Sequence, residues 1–450
     1  MSGLYVLFFD FADRADFVSL SFMWAFAVLN DSGSFGLIAC NTISEGDTRR
    51  VALDTLVNRS CTIIRAIRSL PWPGTASQHV AVVWITKRAW RGDLVLDDTS
   101  VAKISTFLDD LVGDGTSYPL ADNQPLSFEG PKPAARGNVL EPEEASSLIT
   151  RNPCNKDVLI PYLRGEDLNS LPEQSPTKWV IDFKARTLEE AKAYPECFAI
   201  VLERVKPVRD NVNRKAHREK WWMHGELRPG MYAAINKLTY VIVHAFTSKY
   251  IAFSVIPKAM LFAAPMNVFA FNDWPRFAVL QSSVHITWAI KHVSSMGNTI
   301  RYTRTDVFDT FSLPQFPSAT LFDIGEAYHS CRKALMVHSR DGLTATYNRF
   351  HDPDETSADI QKLRDLHVEM DRAVAAAYGW TDLDLGHGFH ETKQGVRFTI
   401  SEPARREVLA RLLTLNHERY NDEVKQGLHG KKKAAPKKKA PKNSAKQEAD

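Results

Sequence analysis

Between residues 113 and 142 the chain is rich in Gly, Pro, Asp and Asn and contains Pro131-Lys132-Pro133. Proline lacks an amide donor and fixes φ, so neither a helix interior nor a central strand runs through such a stretch. The segment reads as a linker or long loop, and a chain of 450 residues interrupted there is expected to form more than one core. Residues 1–112 alternate helical and strand patterns. Residues 143–316 mix short strands with helices and are dense in aromatics. Residues 320–429 read as helices, and residues 430–450 are a disordered Lys/Ala/Pro tail, too polar to bury a core.

The first segment is read most easily. Asp16 to Leu29 is apolar and long enough for a helix, closed by Asn30-Asp31-Ser32-Gly33. Ser34 to Cys40 is a short apolar run bounded by turn residues, the pattern of a buried strand. Asp47-Thr48 carry side-chain oxygens suited to capping a helix that runs to about Asn58. Two β-rich runs, Thr62 to Ile67 and His79 to Thr86, flank Pro71-Trp72-Pro73-Gly74. Such alternation predicts a mostly parallel α/β sheet finished by an antiparallel hairpin. In the last third, helices are predicted over Ile324–Val337, Ala358–Tyr378 and Pro403–Lys425, with Ser401 as a cap and Pro403 in the first turn.

Charge is unevenly placed. Lys+Arg 56 against Asp+Glu 53 give a net +3, but Gly430–Asp450 holds eight Lys and two acids, a net +6. Removing that tail leaves −3 for the rest. The five cysteines are scattered and form no C-x-x-C pair, which gives no basis for a disulfide framework or a zinc ribbon and fits a reducing cytoplasm. The apolar stretch from Phe17 to Leu29 is too short to span a bilayer and follows Asp10, Asp13 and Asp16 where a signal peptide would be basic. The expectation is a cytoplasmic protein with no membrane partner.

Two features suggest nucleic acid. Prolines on both sides of Trp72 would hold its indole as a rigid platform for a planar ligand such as a base, unless the ring packs on the sheet edge. Glu203–Lys220 carries Arg204, Lys206, Arg209, Arg214, Lys215, Arg218 and Lys220, with Trp221 and Trp222 next in sequence. Cations interleaved with aromatics suit phosphate contacts and stacking, or form a solvated helix face. Arg301 and Arg304 have the same character. Other patterns are discounted. Asn152-Pro153-Cys154-Asn155 reads as an ordinary turn, Gly113-Asp114-Gly115 follows no strand, and His387 and His390 lack the spaced partners of a metal site.

Several stretches together resemble a known family. They are Arg14-Ala15-Asp16-Phe17, Gly36-Leu37-Ile38-Ala39-Cys40-Asn41-Thr42-Ile43 with Gly46-Asp47-Thr48-Arg49, Ala66-Ile67-Arg68-Ser69 with Pro71-Trp72-Pro73-Gly74, and Pro161 to Asn169. Tyr378 to His390 is similar to the family's helical C-terminal signature. The chain resembles the C-terminal half of bacterial type IIG-like DNA adenine-N6 methyltransferases with an MmeI-like target-recognition domain, some found in phage-defence systems.

The resemblance implies an α/β fold: a partial Rossmann-like methyltransferase sheet with an antiparallel hairpin, then a mixed α+β target-recognition domain and a helical C-terminal domain. It implies double-stranded DNA as partner, Asp16 and Phe22 beside the S-adenosylmethionine pocket, and Trp72 with Pro73 against a flipped adenine. The Arg204–Trp222 stretch, Arg301 and Arg304 gain a DNA-facing reading. The family's glycine-rich cofactor loop and Asn-Pro-Pro-aromatic loop, whose oxygens orient the target amine, are absent from this sequence. No catalytic residue or metal ligand is therefore assigned, and the chain alone is expected to bind no S-adenosylmethionine. The expectation is a fragment whose missing half comes from a separate chain or has been lost. The alternatives are a non-catalytic DNA-binding specificity module or a decayed gene fragment.

Overall fold

The computed structural model describes residues 15–73, 75, 79–110, 116–296, 299–315 and 319–429. Readings that fall on residues 1–14, Gly74, Gly113-Asp114-Gly115 and the tail 430–450 lie outside the described residues.

The first module begins with α1 (Phe17–Val28), whose N-cap is Asp16: the carboxylate accepts the Val18 N–H at 3.4 Å. Strand β1 (Ser34–Cys40) follows, then helical turns from Gly46 to Asn58 that contain a π-turn over Arg50–Asp54. The Thr48 hydroxyl accepts the Asp16 N–H at 3.1 Å instead of capping its own helix. Strands β2 (Thr62–Pro71) and β3 (His79–Thr86) form the expected hairpin. Strands β4 (Leu94–Leu96) and β5 (Thr99–Val101) are joined by Asp97 and Asp98, both at positive φ (48° and 62°). Acidic short side chains tolerate this left-handed two-residue turn. Their carboxylates then pair with Arg68 and Arg65 of β2 at 2.5 and 2.6 Å, so the turn also braces the hairpin.

The sheet order is β1-β3-β2-β4-β5. The expected mostly parallel sheet is not what neighbouring strands make: only β2 with β4 is parallel. The reason is insertion. β1 and β2 both run antiparallel to β3, hence parallel to each other, and β3 of the hairpin lies between them. Among the described residues strand β1 is consequently an edge and not a buried strand, with Ile38 61% exposed.

The middle of the chain forms two four-stranded sheets. One has the order β12-β10-β14-β6 (β6, Ser127–Glu129; β10, Tyr240–Ala245; β12, Ser254–Pro257; β14, Met266–Phe269). The other has β13-β8-β9-β7 (β7, Val139–Leu140; β8, Leu159–Leu163; β9, Lys178–Ile181; β13, Leu261–Phe262). A smaller sheet joins β11 (Thr247–Ser248), β16 (Thr299–Arg301) and β15 (Ser294–Met296).

Residues 113–142 are therefore not a linker throughout. Phe128 of β6 pairs with Val268, and Leu140 of β7 with Trp179. Strands of two and three residues leave no periodicity, so the prolines and glycines around them dominated the pattern.

The C-terminal helices belong to the same interior as the β10 sheet. These are α7 (Ala319–Ser339), α8 (Leu343–Phe350), α9 (Ala358–Ala377) and α10 (Glu402–Lys425), which pack beside α5 (Trp274–Gln281) and α6 (Ser283–His292). One continuous apolar cluster runs from Leu163 to Leu412 in sequence, separate from the cluster of the first module. Arg332 of α7, 1% exposed, donates to Gln281 Oε1, to the Tyr347 hydroxyl and to the Phe253 carbonyl. Gly325 allows α7 to approach, since a Cβ there would lie 2.5 Å from the Trp274 carbonyl oxygen. The helical region also contains a ribbon, β17 (Gly388–Thr392) with β18 (Gly395–Thr399). As the sequence predicts, Ser401 caps α10 by accepting the Ala404 N–H at 3.3 Å.

Candidate nucleic-acid interface

Trp72 follows the end of β2, where Pro71 pairs with His79 and closes the hairpin ladder. Its ring is 45% exposed, so it does not take the packed place on the sheet edge. Pro73 beside it is exposed too. A planar apolar ring held on a braced hairpin is available for stacking.

Asp16 and Phe22 do not by themselves make a cofactor cradle. Phe22 is 0% exposed and packs edge-on to Phe35 with centroids 6.1 Å apart. Asp16 is committed to the α1 cap.

The basic stretch spans the C-terminus of α2 (Pro195–Arg204), α3 (Lys206–Asp210) and α4 (Lys215–Glu219). Two of its members are not surface groups. Arg209 is 3% exposed, and burial pushes its guanidinium below the usual arginine range. Trp221 is 8% exposed in the core formed around Val201 and Phe198, with the Phe198 ring 5.6 Å away. These two face the interior, which corrects their reading as DNA contacts. Trp222 is half-buried and donates Nε1–H to the Arg186 carbonyl at 3.0 Å.

The remaining cations lie at the surface. Arg204 pairs with Glu144 at 2.8 Å, Lys206 with Asp210 at 2.6 Å, Arg214 with Glu226 at 3.2 Å and Lys215 with Glu219 at 3.6 Å. Exposed pairs of this kind are worth about 0–1 kcal/mol, so a phosphate can displace the carboxylate at small cost. Arg218 donates to the carbonyls of Val212 and Asn213, and Lys220 is exposed. Arg301 is exposed on β16 over the Phe246 ring, whereas Arg304 is held by Asp309 at 3.1 Å.

The discounted motifs have structural partners. Asn152 accepts the Cys154 N–H at 3.1 Å in a tight turn. His387 Nε2 lies 2.8 Å from Asp371, and His390 Nε2 lies 2.9 Å from the Gly386 carbonyl.

Residues 111–315 match the family model described as MmeI, target recognition domain. The match begins two residues before the segment read as a linker, takes in all of it, and covers both four-stranded sheets and the basic stretch. Among solved structures, one titled as the type IIL restriction-modification enzyme MmeI in complex with DNA is similar in fold. The TM-score is 0.71 at 16% identity, over 93% of this chain and 55% of that one. The chain thus spans about half the length of the enzyme it resembles. No curated protein matches the sequence. Among the described residues no helix is long and apolar enough to cross a membrane.

Sequence reasoning missed a cleft outside the matched segment's basic stretch. It gathers Arg68 of β2, Lys291 of α6, Tyr250, and His390, Lys393 and Arg397 of the β17–β18 ribbon. These residues are up to about 330 positions apart in sequence, so no local motif announces them.

Proposed function

We propose that this chain is the DNA-recognition portion of a restriction-modification methyltransferase that acts on adenine. The observation that carries the reading is the target-recognition match over residues 111–315. A fold similar to an enzyme described in complex with DNA supports it further. On this reading the two four-stranded sheets present side chains to base edges in a groove, Arg204, Lys206, Arg214, Lys215, Arg218 and Lys220 meet phosphates, and Trp72 stacks on a base swung out of the duplex.

S-adenosylmethionine dependence requires residues this chain does not carry, and its surface supports a complement. Among the described residues strand β1 pairs on one side only, and α1 exposes Phe17 (85%), Trp24 (60%) and Val28 (63%). A helix apolar on nearly all sides normally has neighbours on more than one face, and an open strand edge normally has a pairing partner or a cover. The rest of a methyltransferase sheet, as a preceding segment or a separate chain, fits both.

The test is duplex binding by the full chain, read as affinity against salt. Steep weakening with salt and preference for one sequence among a pool of duplexes are expected. Affinity that is flat with salt and indifferent to sequence would overturn the proposal.

A further inference from the structure

The missed cleft has a volume of about 600 Å³ and lies among the β17–β18 ribbon, α6, the end of α8 and the 109–110 segment of the first module. That size takes a ligand of one nucleotide. One wall is aromatic: Tyr250, Phe350 and Phe398 line it, and the Tyr250 ring stacks on His351 with centroids 5.1 Å apart.

Most of its charges are already matched. Lys291 holds Asp109, Arg405 holds Glu402, and Arg406 holds Asp110 and Glu402. Arg397 differs. Its Nη1 donates to the Val396 carbonyl at 2.8 Å, its Nε is buried with no acceptor, and the guanidinium lies 5.4 Å from the Tyr250 ring centroid. His367 is a second incomplete group. It is 3% exposed and its Nε2 lies 3.0 Å from Ser283 Oγ, while Nδ1 is buried with no partner. Buried polar atoms without partners are uncommon in folded proteins. Here two of them belong to residues lining one cavity.

We propose that this cleft binds a single nucleotide unit, with the base against the Tyr250–Phe398 wall, its polar edge toward His367, and the phosphate on Arg397 and Lys393. Arginine suits phosphate because its planar fork donates in parallel, and base stacking on aromatic rings is tolerant of sequence. The unit is either a free mononucleotide or a nucleotide of a bound strand. Arg68 lies in the cleft wall four residues before Trp72, so a strand passing Trp72 is within about 13 Å of it along extended backbone. The strand source rests on the DNA-binding reading, and the free source does not.

Calorimetric titration of the full chain with the four nucleoside 5′-monophosphates, with inorganic phosphate and with a duplex distinguishes the cases, using wild type, Arg397→Gln and Lys393→Gln. A charge-assisted hydrogen bond lost in Arg397→Gln is expected to weaken binding by about ten- to hundredfold, with an unchanged melting temperature. Mononucleotide binding with that loss establishes a free-nucleotide site. Duplex binding alone, with the same loss in both variants, establishes the strand source. Binding of inorganic phosphate as tight as that of the nucleotides removes the role of the base and overturns the proposal. So does ligand affinity that neither substitution changes, or failure to bind mononucleotide or duplex. A wild-type chain that binds mononucleotide but no duplex would sink the proposed function and leave this site standing.

Discussion

Lys291 of α6 donates to the Asp109 carboxylate, joining the middle of the chain to the end of its first module across 182 positions of sequence. The Lys291 ammonium also lies 4.2 Å from the Phe107 ring centroid, and Arg49 stacks on that ring at 3.6 Å. With Arg50–Asp306 at 2.7 Å and Arg406–Asp110 at 3.0 Å, three ion pairs clamp the first module to the remainder.

Lys291→Met should be the most damaging single change at this junction. It leaves Asp109 in a site where only Ser105 still donates a side-chain hydrogen bond to it, and breaking a buried pair costs about 3–5 kcal/mol. Pairing it with Asp109→Leu should recover most of that loss. Urea-denaturation midpoints of the two singles and the double variant check this, and equal losses in all three would contradict it.

Stability should fall as the solution is acidified below neutrality. His244 and His285 are fully enclosed, and burial pushes both down to about 3. The folded values lie below the unfolded value of about 6.5, so the unfolded chain binds more protons between these limits. Each histidine then removes about 1.4 kcal/mol per pH unit as pH drops through that window. Neither ring nitrogen of His244 has a hydrogen-bond partner, so His244→Leu should be near neutral at pH 7. It should also flatten the acid slope by about one proton's worth, measured as midpoints at pH 7, 6 and 5.

Trp72→Ala should leave the melting temperature unchanged, since the ring is largely outside the core. The loss should appear instead in fluorescence of a duplex carrying 2-aminopurine at candidate target positions, where stacking on an aromatic is worth about 1–3 kcal/mol per base. An unaltered signal at every position would remove Trp72 from base contact.

Charge substitutions should separate surface cations from interior ones. Lys220→Ala and Arg301→Ala should each reduce the log–log salt slope of duplex binding by about 1. Arg209→Met should not, because its guanidinium is enclosed. Deleting Gly430–Asp450 removes a net +6 and should flatten the slope further if those lysines meet phosphate; an unchanged slope would leave the tail without a role in binding.

What could be read in advance was local. The Ser401 cap, Pro403 in the first turn of α10, and the β2–β3 hairpin were legible because their signals lie within a few residues of one another. The edge position of β1 was not, because it depends on which partner β3 chooses. The short strands β6 and β7 were hidden for lack of length. Seven basic residues in a row of seventeen looked alike in sequence, yet Arg209 points inward and Lys220 outward, a distinction set by helix phase in a turn-rich segment. The cleft was invisible because Arg68, Ser283, His367 and Arg397 meet only after folding.

Because Arg332 and the apolar cluster from Leu163 to Leu412 tie the β10 sheet to the final helices, the segment that matches the target-recognition model does not close off as a separate unit near residue 315. A chimera cut there would inherit half an interior from each parent. Exchange of target preference between relatives should therefore succeed by replacing surface side chains on the sheets, or by moving everything through α10 as one piece.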